Sequence, residues 1–137
     1  MLNLKIITPQ KKVLEKEVKS ISCRTVEGDI TILPRHSALL TLLAEGVISV
    51  RDSSNNEEFF SCGSGYVETD GKQVQILISR AAGQDEIDEK KVLEAQQQAK
   101  KLLTEQKSAS DRRQAWAMLQ RTSLDLKVIN KLKRKRS

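Results

Sequence analysis

Gly28-Asp29-Ile30-Thr31-Ile32-Leu33-Pro34-Arg35-His36-Ser37-Ala38-Leu39-Leu40-Thr41-Leu42-Leu43-Ala44-Glu45-Gly46 sets the architecture of the chain. A glycine opens it, Ile30 and Ile32 alternate with polar neighbours, and Pro34 interrupts. A second apolar run then extends from Ala38 to Leu43 before another glycine. Alternation at period two calls for strands. Pro34 can donate no ladder hydrogen bond and belongs in a loop or at a strand end. The expected unit is a strand, a tight loop carrying Arg35 and His36, a second strand, a turn, and a third strand through Val47, Ile48 and Val50. Such a unit cannot bury its apolar faces alone. Leu39, Leu42 and Val47, with Phe59 and Ile76 from later strands, are expected in the core.

The flanking sequence continues the same pattern. Leu2, Leu4 and Ile6 alternate before the turn Thr8-Pro9-Gln10, Val13–Val18 reads as a second strand, and Ile21, Cys23 and Thr25 share one face of a third. Asp52-Ser53-Ser54-Asn55-Asn56 is a polar hairpin turn, and Glu58–Cys62 is another strand. Gly63-Ser64-Gly65 is a tight corner, and Asp70-Gly71 is a two-residue hairpin signal joining Tyr66–Thr69 to Gln73–Ile78. Many short strands without an intervening helix predict a β-sandwich or flattened barrel over residues 1–83.

Beyond Gly83 the period changes. Val92, Ala95, Ala99 and Leu102 form a helical stripe, with Asp85, Glu86, Asp88 and Glu89 at its start and Lys100 and Lys101 toward its end, as the helix dipole favours. The hinge Lys107-Ser108-Ala109-Ser110 offers an N-cap serine. A second stripe follows through Ala115, Leu119, Thr122, Leu126 and Ile129. Residues 84–137 are therefore expected to form an antiparallel helical hairpin, giving an α+β chain of two domains, 1–83 and 84–137. An Ala- and Thr-rich seam buries little area, so the hairpin is expected to open at modest cost.

The net charge of +6 is unevenly spread. Residues 1–106 hold 14 Lys/Arg against 16 Asp/Glu, a net of −2, and residues 107–137 hold 10 against 2, a net of +8. The C-terminal segment, ending in Lys131-Leu132-Lys133-Arg134-Lys135-Arg136, should seek an acidic partner. A nucleic-acid-binding module is one class that fits, although the β-domain offers few aromatics for stacking. The start of the chain lacks the basic segment and cleavage site of a signal peptide, and no apolar run approaches a membrane span. A cytoplasm-like compartment is expected, with Cys23 and Cys62 as buried free thiols.

Catalytic patterns are missing. There is no GxxxxGK[ST] or GxGxxG phosphate loop, and Gly63-Ser64-Gly65 lacks the outer pattern of a nucleophile elbow. His36 is the only histidine, so neither a histidine-rich metal site nor a Ser-His-Asp triad has its partners. These residues read as a non-enzymatic β-domain with a mobile basic helical arm.

The segment Gly28–Leu40 resembles the Gly-Glu-(hydrophobic)-Gly-(hydrophobic)-(hydrophobic)-Pro-Gly-His-Ala-Pro-Leu signature of the epsilon subunits of F-type ATP synthases. Gly46–Val50, the pair Gly63–Glu68 and Gln73–Leu77, and Ile87–Val92 are similar to further segments of that family, in order and over essentially the whole chain. Asp29 stands for the usual glutamate, Thr31 and Arg35 for glycines, and Ser37-Ala38 for Ala-Pro. Ile87–Val92 resembles an ATP-contacting (Ile/Leu)-Asp-x-x-Arg-Ala pattern, with Lys91 for its arginine and Val92 for its alanine. Lysine lacks the planar fork of arginine.

The resemblance implies a non-catalytic central-stalk subunit of a rotary, hydrogen-ion-transporting ATP synthase, bound to gamma and resting on the c-ring. It implies that Asp29, Thr31, Arg35 and His36 meet the c-ring or gamma. It also implies that Arg112, Arg113, Arg121 and Lys127 meet acidic segments of the catalytic beta and alpha subunits when the helices extend to inhibit ATP hydrolysis. Asp88 and Lys91 are the candidates for nucleotide sensing, no metal or obligatory cofactor is implied, and any ATP binding at the start of the first C-terminal helix would be weak. The implied location is peripheral, on the cytoplasmic face of a bacterial inner membrane.

Overall fold

The computed structural model describes residues 1–105 and 108–136. Lys107 of the expected hinge, together with Gln106 and Ser137, lies outside the described residues, as does the side chain of Arg136 in the basic tail. The chain divides into two compact units, Met1–Gly83 and Gln84–Ser137.

The first unit is a ten-stranded sheet: β1 Leu2–Ile7, β2 Lys12–Val18, β3 Ser20–Thr25, β4 Gly28–Ile32, β5 Leu39–Leu43, β6 Gly46–Arg51, β7 Glu57–Cys62, β8 Gly65–Thr69, β9 Gln73–Ile78 and β10 Ala81–Gly83. The strand order is β10-β7-β6-β3-β5-β8-β9-β1-β2, with β4 beside β3. β3 is the crossing point, since it pairs with β6 near its start, with β5 at Thr25 and with β4 throughout. Alternation along β1 produces the core directly: Leu2, Leu4 and Ile6 are fully buried while Asn3 and Lys5 face water. The parallel β1–β9 ladder brings Leu4 to Val74 and Ile6 to Ile76, and Val18, Ile21, Ile32, Val50 and Val67 complete the same core. The corner at Gly65 needs glycine, because a Cβ there would lie 1.9 Å from the Leu77 carbonyl oxygen. The expected polar hairpin forms around Asp52, whose Oδ1 accepts from the Ser54 and Asn56 amides.

Two expectations need correction. Phe59 and Ile76 are buried, and Leu39 and Val47 are half-buried, but Leu42 is 61% exposed. The run Leu39-Leu40-Thr41-Leu42-Leu43 is apolar on both parities, so period two cannot say which parity faces inward. Leu43 takes the core, and Leu40 and Leu42 are left outside. The short strand β10, paired to β7, was not foreseen, because three residues carry no periodicity.

The second unit starts with a 3-10 turn, Gln84–Glu86, followed by α1 Glu89–Thr104 and α2 Ala109–Arg136. Asp88 caps α1, and the Ser108 Oγ accepts the Asp111 amide at 3.2 Å to cap α2. α1 packs along α2. Val92 and Ala99 are buried on α1, and Ala115, Thr122, Leu124, Val128 and Ile129 on α2. Leu124 and Val128 add bulk off the expected stripe. No described helix is long and apolar enough to cross a membrane.

Candidate functional site

The turn after β4 is built as a rigid ledge. Thr25 closes the β3–β4 turn, donating from Oγ1 to the Gly28 carbonyl at 2.7 Å and accepting the Glu27 amide at 3.1 Å. Along β4, the Thr31 and Ser22 hydroxyls meet at 3.1 Å. Past β4, the His36 amide donates to the Leu33 carbonyl at 3.1 Å, and the Arg35 amide donates to the Gly71 carbonyl at 2.9 Å. This second bond ties the loop to the β8–β9 hairpin. The hairpin is itself braced: the Gly71 amide donates to Thr69 Oγ1, that hydroxyl donates to the Gln73 carbonyl, and Asp70 Oδ1 accepts the Lys72 and Gln73 amides. The bonds from the Gln73 and Lys72 amides hold the Asp70 carboxyl below the usual carboxylate range.

Backbone conformation at this junction is demanding. Gly71 sits at φ +92°, and a Cβ there would lie 2.7 Å from the His36 carbonyl oxygen. Arg35 sits at φ +69°, in the left-handed region that costs an L-residue with a Cβ roughly 1–2 kcal/mol. The position where the resemblance implies glycine therefore has the glycine conformation and carries arginine instead. Asp29, Thr31 and Arg35 are exposed and His36 is half-buried. Arg35 and His36 share the ledge, whereas Asp29 and Thr31 lie back along β4, so the four form a line and not a cluster.

Beside the ledge is a surface that includes Leu42, which the sequence placed in the core. Leu40 and Leu42 face outward from β5 at 68% and 61% exposure. Their ladder partners on β8 are Glu68 and Tyr66, and together with Thr41 these four line a shallow, mainly apolar depression. Tyr66 also borders a second depression with Ile7, Pro9, Leu77 and Ser79. Leu33 and Val26, at the two ends of β4, are exposed as well. The sequence signal was present: a strand apolar on both faces needs a cover on both faces.

The helical candidates are placed separately. Asp88 Oδ1 accepts the Lys90 and Lys91 amides at 3.0 and 3.3 Å, so this carboxylate oxygen is engaged in capping α1, and Lys91 is exposed. Arg112, Arg113, Arg121 and Lys127 are all exposed on α2. Asp125, on the same helix, has a buried Oδ1 without a hydrogen-bond partner among the described residues. Lys133 pairs with Glu89 at 2.8 Å.

The two thiols offer no nucleophile. Burial pushes Cys23 up to about 12, assisted by the nearby Asp29 charge, and burial likewise pushes Cys62 to about 12. A thiol needs to ionise to attack, and these stay protonated near neutrality.

Residues 1–84 match the family model for the beta-sandwich domain of the ATP synthase delta/epsilon chain. The chain is 31% identical over 134 residues to the ATP synthase epsilon chain of Alkalilimnicola ehrlichii, covering 98% of this chain and 96% of the relative. It is 35% identical over 135 residues to that of Herpetosiphon aurantiacus, covering 98% of each, and 35% identical over 127 residues to that of Moorella thermoacetica, covering 93% and 95%. A chain in the cryo-EM structure of the Euglena gracilis mitochondrial ATP synthase OSCP/F1/c-ring assembly shares the fold. Its TM-score is 0.79 at 23% identity, covering 93% of this chain and 80% of that one.

Proposed function

The chain belongs to the ATP synthase delta/epsilon-chain family as an epsilon chain, a non-catalytic subunit of that complex, and from that premise we propose that its β-unit joins gamma to the c-ring. The observation that carries this reading is the apolar face of Leu40, Leu42 and Tyr66 lying beside the braced Arg35–His36 ledge. A contiguous apolar surface rimmed by polar residues is the composition of a protein–protein interface. Gamma covers the Leu40–Leu42 face, and the polar line Asp29, Thr31, Arg35 and His36 rests against the c-ring and the adjoining part of gamma. Torque transmission needs a stiff contact, and the ledge supplies one because the bonds around Gly71 fix its backbone.

The helical unit is the regulatory part. Opening the α1–α2 hairpin extends α2 and carries the already exposed Arg112, Arg113, Arg121 and Lys127 to acidic segments of the catalytic subunits, where they inhibit ATP hydrolysis. The buried Asp125 oxygen, without a hydrogen-bond partner among the described residues, supports opening, since exposure to water supplies one. ATP, if bound, contacts Asp88 and Lys91 at the start of α1; the role itself requires no cofactor. The subunit is held peripherally, on the cytoplasmic face of the membrane, by its partners.

The test is a cut after Gly83. The 1–83 unit should still co-purify with gamma, and hydrolysis by the reconstituted head should rise relative to the full chain. Unchanged hydrolysis would remove the inhibitory role, and loss of gamma binding would remove the assignment of docking to the β-unit.

A further inference from the structure

One face of α2 is unlike the rest of the surface. With successive residues about 100° apart around a helix, Arg112, Arg113, Trp116, Gln120, Ser123, Lys127, Asn130, Lys131 and Arg134 fall within one sector around Trp116, and every one of them is exposed. This sector holds five of the helix's cationic side chains and no carboxylate. The two acidic residues of α2, Asp111 and Asp125, project from the opposite side. At about 1.5 Å per residue, the stripe from Arg112 to Arg134 runs for about 33 Å. Trp116, the only tryptophan in the chain, is 55% exposed on this face, one turn beyond Arg112 and Arg113.

Charge of a single sign over such a length calls for an extended polyanionic partner. One observation favours a flat one: the tryptophan that shares the face with these cations has a marked preference for the headgroup region of bilayers. We propose that this stripe docks lengthwise on an anionic lipid surface, with the lysines and arginines held by phosphate headgroups and the Trp116 indole entering the headgroup layer. Each cation near such a surface contributes to binding, and a buried ring adds the second signal that stable attachment needs. The choice of a bilayer over nucleic acid rests on the membrane-proximal placement proposed above; the cationic stripe itself does not.

Trp116 supplies the readout. The full chain is titrated with vesicles of phosphatidylglycerol and phosphatidylcholine, and separately with pure phosphatidylcholine, while tryptophan emission and co-sedimentation are followed. Emission should move to shorter wavelength, and protein should sediment, with the anionic vesicles only, and added salt should reverse both. The variant Arg112→Gln, Lys127→Gln, Lys131→Gln and Arg134→Gln keeps good helix formers at exposed positions. It should bind roughly a thousandfold more weakly while retaining its helical circular dichroism. No emission change with anionic vesicles at low salt would overturn the proposal, as would equal binding of the variant or tighter binding to duplex DNA or polyglutamate. Gamma binding by the same variant should be unchanged, so a failure here and a failure of the stalk assignment are separately visible.

Discussion

Replacing Leu40 and Leu42 together by alanine tests the docking face without touching the core. Both side chains are already mostly in water, at 68% and 61% exposure, so the free chain has little to lose. Exposed substitutions of this kind fall within about 0.5 kcal/mol of neutral. Docking is another matter. Full burial of a leucine is worth about 1.5–3 kcal/mol, and roughly two thirds of that remains to be gained when a partner covers each side chain. Allowing for the methyl group that alanine retains, the pair should lose about 2–3 kcal/mol of binding, or about 30- to 150-fold in Kd. Titration calorimetry with gamma measures the loss, and thermal unfolding by circular dichroism checks that the midpoint is unmoved. A double variant that binds gamma with unchanged Kd would refute the reasoning. So would one whose midpoint fell by as much as a buried-leucine substitution implies, because Leu40 and Leu42 would then be core.

Further outcomes follow from the ledge and the thiols. Arg35→Gly should raise stability by about 0.5–1 kcal/mol, because relief of the left-handed strain exceeds the extra unfolded-state entropy of glycine. The unfolding midpoint should rise by a few degrees, and a fall would show that the arginine side chain contributes more than its backbone costs. Cys23 and Cys62 both have folded values near 12 against an ordinary 9.0. Below pH 9 the thiols are protonated in both states and have no effect. Above it the unfolded chain ionises first, and stability should fall by about 1.4 kcal/mol per pH unit for each thiol until the folded values are reached. Urea unfolding of a Cys23→Ala, Cys62→Ala chain should show a shallower alkaline decline; an identical decline would place its cause elsewhere.

Strands with one apolar parity were readable from the sequence. β1 and β3 place Leu2, Leu4, Ile6, Ile21, Cys23 and Thr25 inward as alternation requires, and the Asp70-Gly71 hairpin follows from its turn chemistry. β5 was only half readable, because its five residues are apolar on both faces and only the register against β8 decides which side stays wet. The ledge was legible in its residues but not in its bracing: that the Arg35 amide reaches the Gly71 carbonyl depends on two turns separated by 36 positions in sequence. The cationic stripe illustrates the converse. Its charge was plain in the composition, but that Arg112, Trp116, Lys127 and Arg134 share one wet face depended on α2 running unbroken from Ala109 to Arg136.

The most direct measurement is affinity purification of the tagged chain from its own cell membranes under mild detergent, with the co-purifying subunits identified and counted. Gamma, the c-ring and the catalytic head should be recovered together with the chain. Recovery of the chain alone, or with partners that include neither gamma nor c, would contradict its place in the central stalk.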